Sequence, residues 1–411
     1  MTDHENPIIE VELETMANGG SALARHDGRV VFIPYTIPGE VVEAQIVQDR
    51  GRVAFAKGVR MLEPSADRVF PACQHFGAGK CAGCQWQHMN ATAQLLIKQD
   101  VLADQLERVG GFSDATVRPL IPSPQPWHYN DHMTFTVGDD GQLGFPDTEG
   151  GVLPIEVCEV LHPELLELYN LLDIETDGIT SVKLMRGTDG DRMVILTAAE
   201  EEAPELELNL PASINLLLPD NEPMNLAGNT HIVYDIAGKR FRVTAGSDFR
   251  RNSAAVSNLV AEVLDALDGA KSVLDLYAGV GVFGAFIAEQ ADYVTLVESY
   301  PPAATDADEN TDAFDHVDVI EGTVEDVLAA AESEYDAAVV DPPSSGMSTE
   351  AMDALVALKL QTIVYVSEDT ATFARDAKRL RGHGYDLDSV QPLDFAPQTY
   401  YTEIVGKFTR R

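Results

Sequence analysis

The chain has few cysteines, few tryptophans and few basic residues, and it has no long apolar run. Its 411 residues include four Cys and two Trp, and 28 basic residues stand against 67 acidic ones, for a net charge of −39. The absence of a run of about 18 apolar residues excludes a typical membrane-spanning helix. The sequence MTDHENPIIE at the N-terminus lacks the charged-then-apolar pattern of a secretory leader. We therefore expect a cytoplasmic protein without membrane contact.

The acidic excess predicts behaviour in salt rather than a ligand. Only nine of the basic residues are Lys, and this composition resembles that of proteins from salt-accumulating halophiles. Acidic runs such as residues 306–318 then form a solvated surface, and folding is expected to need molar salt. The Debye length falls to about 3 Å at 1 M salt, so only close contacts would hold an anionic polymer.

Patterning divides the chain into three regions. Residues 8–62 read as five short strands with tight turns, which is typical of a small OB-type β-barrel or of another small β-domain. After Pro64 come a cysteine turn, a helix over 91–110, and a mixture of strands and Pro-rich turns. From about Ser272 apolar strands and helices alternate, which predicts a doubly wound α/β domain with a mostly parallel sheet. The predicted domains are 1–63, 64–235 and 236–411.

Three of the four cysteines crowd into one Gly-rich turn. Cys73, Cys81 and Cys84 have the spacing C-x7-C-x2-C, and Cys158 lies far downstream. Thiols this close converge on a metal more easily than they pair as disulfides, because the glycines let the backbone wrap around them. The uneven spacing fits a [4Fe–4S] cluster better than a zinc ribbon with two C-x2-C knuckles. Four small buried thiols without a metal are the alternative.

The first strand of the last region ends in a Gly turn. The sequence LDLYAGVGVFG matches G-x-G-x-x-G through Gly279, Gly281 and Gly284. Dinucleotide sites, nucleoside-cofactor sites and turns without a ligand all show this pattern. Asp275 favours the ammonium of S-adenosylmethionine, since it would repel a pyrophosphate. Glu298 ends the next strand, where it can bind ribose hydroxyls, and Asp341 ends another strand at the same carboxyl edge. These acids predict an S-adenosylmethionine site.

These motifs resemble, along the whole chain, the uracil-C5 RNA methyltransferases that make 5-methyluridine in tRNA or rRNA. The segment GGSALARHDGRVVFIPYTIPGE is similar to the TRAM domain of that family, and SVLDLYAGVGVFG, LVES, VVDPPSSG and VYVSEDTATFARD follow its class I methyltransferase motifs in order. The resemblance implies structured RNA as partner, S-adenosylmethionine as cofactor, and a [4Fe–4S] cluster on the four cysteines in a small α+β domain. It places Tyr277, Glu298 and Asp341 at cofactor-binding positions and Glu403, in YYTEIV, at the position of the general base.

Three positions depart from the family pattern. Arg250, in SDFRRN, stands where a cofactor-contacting Gln is usual, and Ser344 stands at the Arg of DPPR-x-G. Glu368 occupies the position of the nucleophilic Cys in YVS-C-x-P. That thiolate adds to carbon 6 of uracil so that carbon 5 can attack a methyl group, and a carboxylate is a much weaker nucleophile. We keep Arg250 as a candidate cofactor contact and Glu368 as a candidate catalytic residue.

The departures leave three functions open. The resemblance implies methylation of uracil C5. The second function is methylation of a nitrogen or a hydroxyl, with Glu368 as general base. Glu368 can also be a solvated carboxylate that caps the helix beginning near Thr370. Glu403 can be a surface acid of an edge strand. The third function is RNA binding without catalysis. We expect a monomer in which the cluster is structural, because methyl transfer requires no electron.

Overall fold

The computed structural model describes residues 7–172, 174, 176–200, 211–331 and 335–411. Its first unit is a six-stranded β-domain in the order β1-β5-β6-β4-β3-β2, one strand more than the five predicted. Alternate residues of β1 are buried, as expected for a strand with one face on a core. The strands are β1 (Ile8–Glu12), β2 (Thr15–Met16), β3 (Ala22–His26), β4 (Arg29–Ile33), β5 (Val41–Asp49) and β6 (Val53–Glu63).

The cysteine turn leads into a helix and a second sheet. Helix α1 (Ala91–Gln105) is capped by the side chain of Asn90, continues as a π-turn (Leu106–Gly110), and ends at Gly111 in the left-handed conformation. The predicted helix over 91–110 is therefore confirmed. The second sheet has the order β13-β12-β11-β10-β7-β8-β9. Its elements are β7 (His132–Val137), β8 (Leu143–Pro146), β9 (Val152–Leu153), α2 (Pro163–Asn170), β10 (Ile179–Arg186), β11 (Arg192–Ala198), β12 (Ser213–Leu217) and β13 (Pro223–Ala227).

The last unit is a doubly wound α/β domain. Its sheet has the order β18-β17-β16-β19-β20-β22-β21, and only β22 runs antiparallel to its neighbours. The predicted mostly parallel sheet is confirmed. The strands are β16 (Ser272–Leu276), β17 (Tyr293–Glu298), β18 (Val317–Glu321), β19 (Ala337–Val340), β20 (Thr362–Ser367), β21 (Tyr385–Leu393) and β22 (Glu403–Arg410). The helices are α3 (Ser253–Leu267), α4 (Val282–Ile287), α5 (Pro301–Thr311), α6 (Val324–Ala329), α7 (Thr349–Ala357) and α8 (Thr370–Gly382).

Contacts between the units cross the predicted domain boundaries, which stay predictions. The hairpin of β14 (His231–Ile236) and β15 (Lys239–Thr244) packs into the core of the α/β domain, so the boundary at 235/236 falls inside a strand. Leu102, Leu106 and Phe112 also pack into that domain. None of the helices formed by the described residues is both long enough and apolar enough to cross a bilayer.

Candidate active site

The Gly turn after β16 adopts the backbone that its motif predicts. Gly279 and Gly281 have φ values of 55° and 82°, in the left-handed region that favours glycine. A Cβ on Gly281 would lie 3.1 Å from Ala307, and one on Gly284 would lie 2.7 Å from the side chain of Leu296. These two glycines therefore allow α4 to pack closely against α5 and β17. A Cβ on Gly279 would meet no atom within 4 Å, so this residue borders open space at the carboxyl edge of the sheet.

Asp275 lies beneath this turn with one carboxylate oxygen unpaired. The side chain is fully buried, and its Oδ2 accepts a hydrogen bond of 2.8 Å from the backbone N–H of Gly284. Its Oδ1 is buried and accepts no hydrogen bond. Burial raises the pKa of Asp275 to about 8, and the nearby Asp341 and Glu298 carboxylates raise it as well. A cationic group of a ligand would satisfy this oxygen and lower the pKa.

Glu298 and Tyr277 are the predicted cofactor residues at the ends of β17 and β16. Glu298 ends β17 and accepts hydrogen bonds from the backbone N–H groups of Gly279 (2.9 Å) and Tyr300 (2.7 Å). Each carboxylate oxygen keeps acceptor capacity for a further donor, such as a ribose hydroxyl. Tyr277 has a φ of 60°, which is uncommon for a residue with a side chain and often marks a functional site. Tyr277 and Glu298 therefore lie at the carboxyl ends of the neighbouring parallel strands β16 and β17.

Arg250 connects Asp341, a predicted cofactor residue, with the predicted base Glu403. Its guanidinium donates two hydrogen bonds to Asp341, at 2.9 and 2.8 Å, and one of 2.7 Å to Oε1 of Glu403. Arg250 is 31% exposed, whereas the Asp341 and Glu403 side chains are 14% and 3% exposed. The two carboxylates raise the pKa of Arg250, although burial opposes them. The residue that departs from the family pattern thus joins Asp341 to Glu403.

Glu403 is a buried acid at the start of β22, and not a surface acid of an edge strand. Burial raises its pKa, Arg250 lowers it, and the carboxylates of Asp341 and Glu368 raise it. The net direction is upward, because burial is the largest effect. A carboxylate with a raised pKa is a stronger base than an exposed one. Position and environment therefore suit Glu403 for proton removal.

Glu368 follows β20 and is exposed. Its alternative role as the cap of the following helix is wrong. The cap is Asp369, whose carboxylate accepts a hydrogen bond of 2.7 Å from the backbone N–H of Thr372. Ser344 is also exposed, and nothing in the structure explains why it stands in place of Arg. Glu368 lies near enough to Glu403 for its carboxylate to raise the pKa of Glu403.

The loop before Glu403, residues 394–402, is held by side chains that sequence reasoning missed. Lys98, in α1, is fully buried and donates to Asp394 (2.6 Å) and to the backbone oxygens of Ala396 (3.1 Å) and Tyr401 (2.7 Å). Burial lowers the pKa of Lys98, and Asp394 opposes that change. A Lys in an amphipathic helix normally indicates a solvated face, so the sequence carries no signal of this role.

The four cysteines line one cavity of about 400 Å³, and they form no disulfide. Among the described residues, no three His, Cys, Asp or Glu side chains lie close enough to share a single metal ion. Burial raises the pKa of Cys84 to about 12 and that of Cys158 to about 11. Tyr401, two residues before Glu403, lines the same cavity.

The β-domain and the doubly wound domain each match a known family model. Residues 5–59 match the model of the TRAM domain, and residues 232–383 match that of conserved hypothetical protein 95. An uncharacterized RNA methyltransferase of Halalkalibacterium halodurans is 31% identical, and the match covers 98% of this chain and 97% of that protein. One from Streptomyces avermitilis is 32% identical, with 97% of each covered. The chain belongs to this RNA methyltransferase family.

A solved structure extends the likeness over the whole fold. The crystal structure of the Pyrococcus abyssi tRNA (uracil-54, C5)-methyltransferase in complex with S-adenosyl-L-homocysteine has a TM-score of 0.75 and 22% identity, and the match covers 98% of this chain and 100% of that chain. At this identity the likeness shows the fold alone. The predicted class I methyltransferase architecture with its N-terminal TRAM domain is confirmed. The roles of the site residues stay predictions.

Proposed function

We propose that the protein transfers a methyl group from S-adenosylmethionine to a base of structured RNA, tRNA or rRNA, with uracil C5 as the target atom. The observation that carries the proposal is the bridge through which Arg250 joins Asp341, at the cofactor edge, to Glu403. A methyl donor on one side of this bridge and a base on the other can act on the same ring. The likeness to the Pyrococcus abyssi enzyme, named for uracil C5 and bound to S-adenosyl-L-homocysteine, supports the same chemistry.

The residues at the sheet edge fit S-adenosylmethionine. The unpaired Oδ1 of Asp275 suits a cationic group, Glu298 can accept from hydroxyls, and Gly279 leaves space for a ligand. Gly281, Tyr277, Asp341 and Arg250 complete the proposed binding set. When bound, S-adenosylmethionine supplies an electrophilic methyl group. The protein's own contribution is to orient donor and base and to exclude water from the reacting atoms.

Glu403 is the proposed general base. In methylation at uracil C5, a group adds to carbon 6, carbon 5 takes the methyl group, the base removes the proton from carbon 5, and the bond at carbon 6 breaks. The carboxylate of Glu403 is buried and has a raised pKa, so it can hold that proton. Arg250 donates to Glu403 and thereby keeps the free carboxylate ionised and oriented.

The identity of the group that adds to carbon 6 leads to a second candidate function. Glu368 stands at the nucleophile position, and none of the four cysteines lies at the end of β20. In the second candidate function Glu368 is the general base for methylation of a ring nitrogen, an exocyclic amine or a hydroxyl, which needs no covalent bond to the protein. The target atom of this candidate differs, while cofactor, fold and RNA substrate remain the same.

We propose that the four cysteines hold a [4Fe–4S] cluster. Four thiolates are the usual ligand set of such a cluster, and Cys73, Cys81, Cys84 and Cys158 all line one cavity. The cluster would order the cysteine turn, whose neighbours hold the loop before Glu403.

Mass spectrometry of nucleosides from tRNA and rRNA of a deletion strain tests the proposed function. Loss of 5-methyluridine at one position supports uracil C5, and loss of a different methylated nucleoside supports the second candidate. Complementation with the wild-type gene should restore the modification, and complementation with Glu403→Gln should not. An unchanged set of modified nucleosides would favour a protein that binds RNA without methylating it.

A further inference from the structure

One turn of the N-terminal β-domain contacts the segments that carry Glu368 and Glu403. Residues 17–21, between β2 and β3, form this barrel turn, which is closed by a hydrogen bond of 2.9 Å from Ala17 N–H to the Ser21 oxygen. The turn contains two glycines with positive φ, Gly19 (96°) and Gly20 (85°). Gly19 is exposed and Gly20 is buried. The two adjacent glycines therefore share a backbone requirement and differ in their surroundings.

Gly20 lies against the loop that leads into Glu403. A Cβ on Gly20 would lie 2.8 Å from the ring of Tyr400, whereas one on Gly19 would meet no atom within 4 Å. The backbone oxygen of Gly20 accepts a hydrogen bond of 3.0 Å from the indole of Trp86. The backbone N–H of Trp86 donates a hydrogen bond of 2.9 Å to the backbone oxygen of Gln398. The barrel turn thus meets residues 394–402 directly at Tyr400 and again through Trp86.

Asn18 of the same turn contacts the segment that carries Glu368. Its side-chain oxygen accepts a hydrogen bond of 3.0 Å from the hydroxyl of Thr370. Thr370 is the first residue of α8, two positions after Glu368, and it is buried. The end of β20 and the loop before β22 belong to different parts of the chain, and this turn contacts both.

We propose that the barrel turn is a positioning element of the methyl-transfer site, which sets the placement of Glu368 and Glu403 relative to each other. The inference rests on the proposed function and extends it, because it gives a domain that binds RNA a direct part in arranging the catalytic carboxylates. The charged groups around Glu403 are Arg250, Asp341 and Glu368. A displacement of Tyr400 or Thr370 changes the distances among these groups.

The adjacent glycines provide a matched test. Gly20→Ala adds a methyl group against Tyr400, while Gly19→Ala adds the same group and similar backbone strain in open space. We expect Gly20→Ala to lower the single-turnover rate of methyl transfer at saturating RNA by tenfold or more and to shift its pH profile, with the dissociation constant for RNA unchanged. Gly19→Ala should stay within about twofold of wild type. Misplacements of about 1 Å can reduce rates by roughly 100-fold.

A second pair of variants, at Thr370, tests the proposal if Gly20→Ala fails to fold. Thr370→Val removes the hydroxyl that donates to Asn18, and Thr370→Ser keeps it. The Val variant should show the slower rate and the shifted pH profile, and the Ser variant should recover both. Equal rates for Gly20→Ala and Gly19→Ala, or a loss of RNA affinity with an unchanged saturated rate, would overturn the proposal.

Titration of Glu403 by carboxyl ¹³C NMR separates this proposal from the proposed function. If wild type methylates no RNA, the proposed function fails. The titration still reports whether the surroundings of the Glu403 carboxylate change in a variant. A shift of the Glu403 titration in Gly20→Ala and none in Gly19→Ala supports positioning. Identical titrations in wild type and both variants overturn it.

Discussion

Arg250 donates a hydrogen bond of 2.7 Å to Glu403, although 153 positions separate the two residues in the chain. Asp341 accepts two more hydrogen bonds from the same guanidinium. The bridge forms at the edge of the sheet where the parallel strand β19 ends and the antiparallel strand β22 begins. It places the residue that departs from the family pattern between the proposed cofactor site and the proposed base.

Arg250→Gln, which introduces the residue usual in the family, should slow catalysis mainly at low pH. Loss of the guanidinium removes the effect that lowers the pKa of Glu403, so the pKa rises and less carboxylate is ionised in weak acid. We expect a loss of roughly tenfold near pH 6 and a smaller loss near pH 9. The pH dependence of the single-turnover rate measures this, with Arg118→Gln, which breaks the distant ion pair to Glu262, as control. A pH-independent loss would contradict the assigned role.

Asp275→Asn should make the stability of the cofactor-free protein less dependent on pH, and it should weaken cofactor binding. The folded-state pKa of about 8 exceeds the ordinary value near 4. Between these values the folded protein holds a proton that the unfolded chain has lost, so stability falls as pH rises from about 4 to 8. The variant should lose this slope in thermal unfolding, and the exposed control Asp308→Asn should keep it.

Calorimetry with S-adenosylmethionine completes the test of Asp275. A charged hydrogen bond contributes about 1.5–3 kcal/mol, so the affinity of Asp275→Asn should fall by roughly tenfold or more. Wild type should release a proton on binding near pH 7, which makes the enthalpy depend on the buffer. Unchanged affinity in the variant would show that Asp275 does not meet the cofactor.

The proposed [4Fe–4S] cluster predicts that the protein binds iron. Anaerobically purified protein should be brown and contain about four irons per chain. Cys81→Ser should lose the colour and destabilise the cysteine turn and α1, since the turn contacts both the barrel and the loop before Glu403. Metal analysis and thermal unfolding provide the measurements. Stoichiometric zinc without iron would contradict the cluster.

Glu368 at the nucleophile position predicts that no thiol adduct forms with RNA. RNA containing 5-fluorouridine traps the enzyme when a nucleophile adds to carbon 6, and wild type should stay unshifted on a denaturing gel. Glu368→Cys should form the adduct if the rest of the site is intact. An adduct mapped to Glu368 in wild type would show that the carboxylate attacks carbon 6, with Glu403 as base.

Local motifs in the sequence predicted most of the fold, because the spacing of residues within a short segment determines its local structure. The alternation after Ser272 predicted the parallel sheet, and the Gly turn adopts the backbone that its motif predicted. The four cysteines line one cavity, and the cluster on them stays a prediction. The contacts that join distant segments could not be predicted in this way. Burial of Lys98 beneath Asp394, and the bridge from Arg250 to Glu403, depend on packing between elements that are far apart in sequence.

The transfer of labelled methyl groups from S-adenosylmethionine to RNA tests the central claim most directly. RNA from a deletion strain should accept label from the wild-type protein in high salt, at one nucleotide. Glu403→Gln should still bind the cofactor and should transfer the label roughly 100- to 10,000-fold more slowly, as expected for loss of a general base. Failure of wild type to label any tRNA or rRNA, or an unchanged rate in Glu403→Gln, would contradict the account.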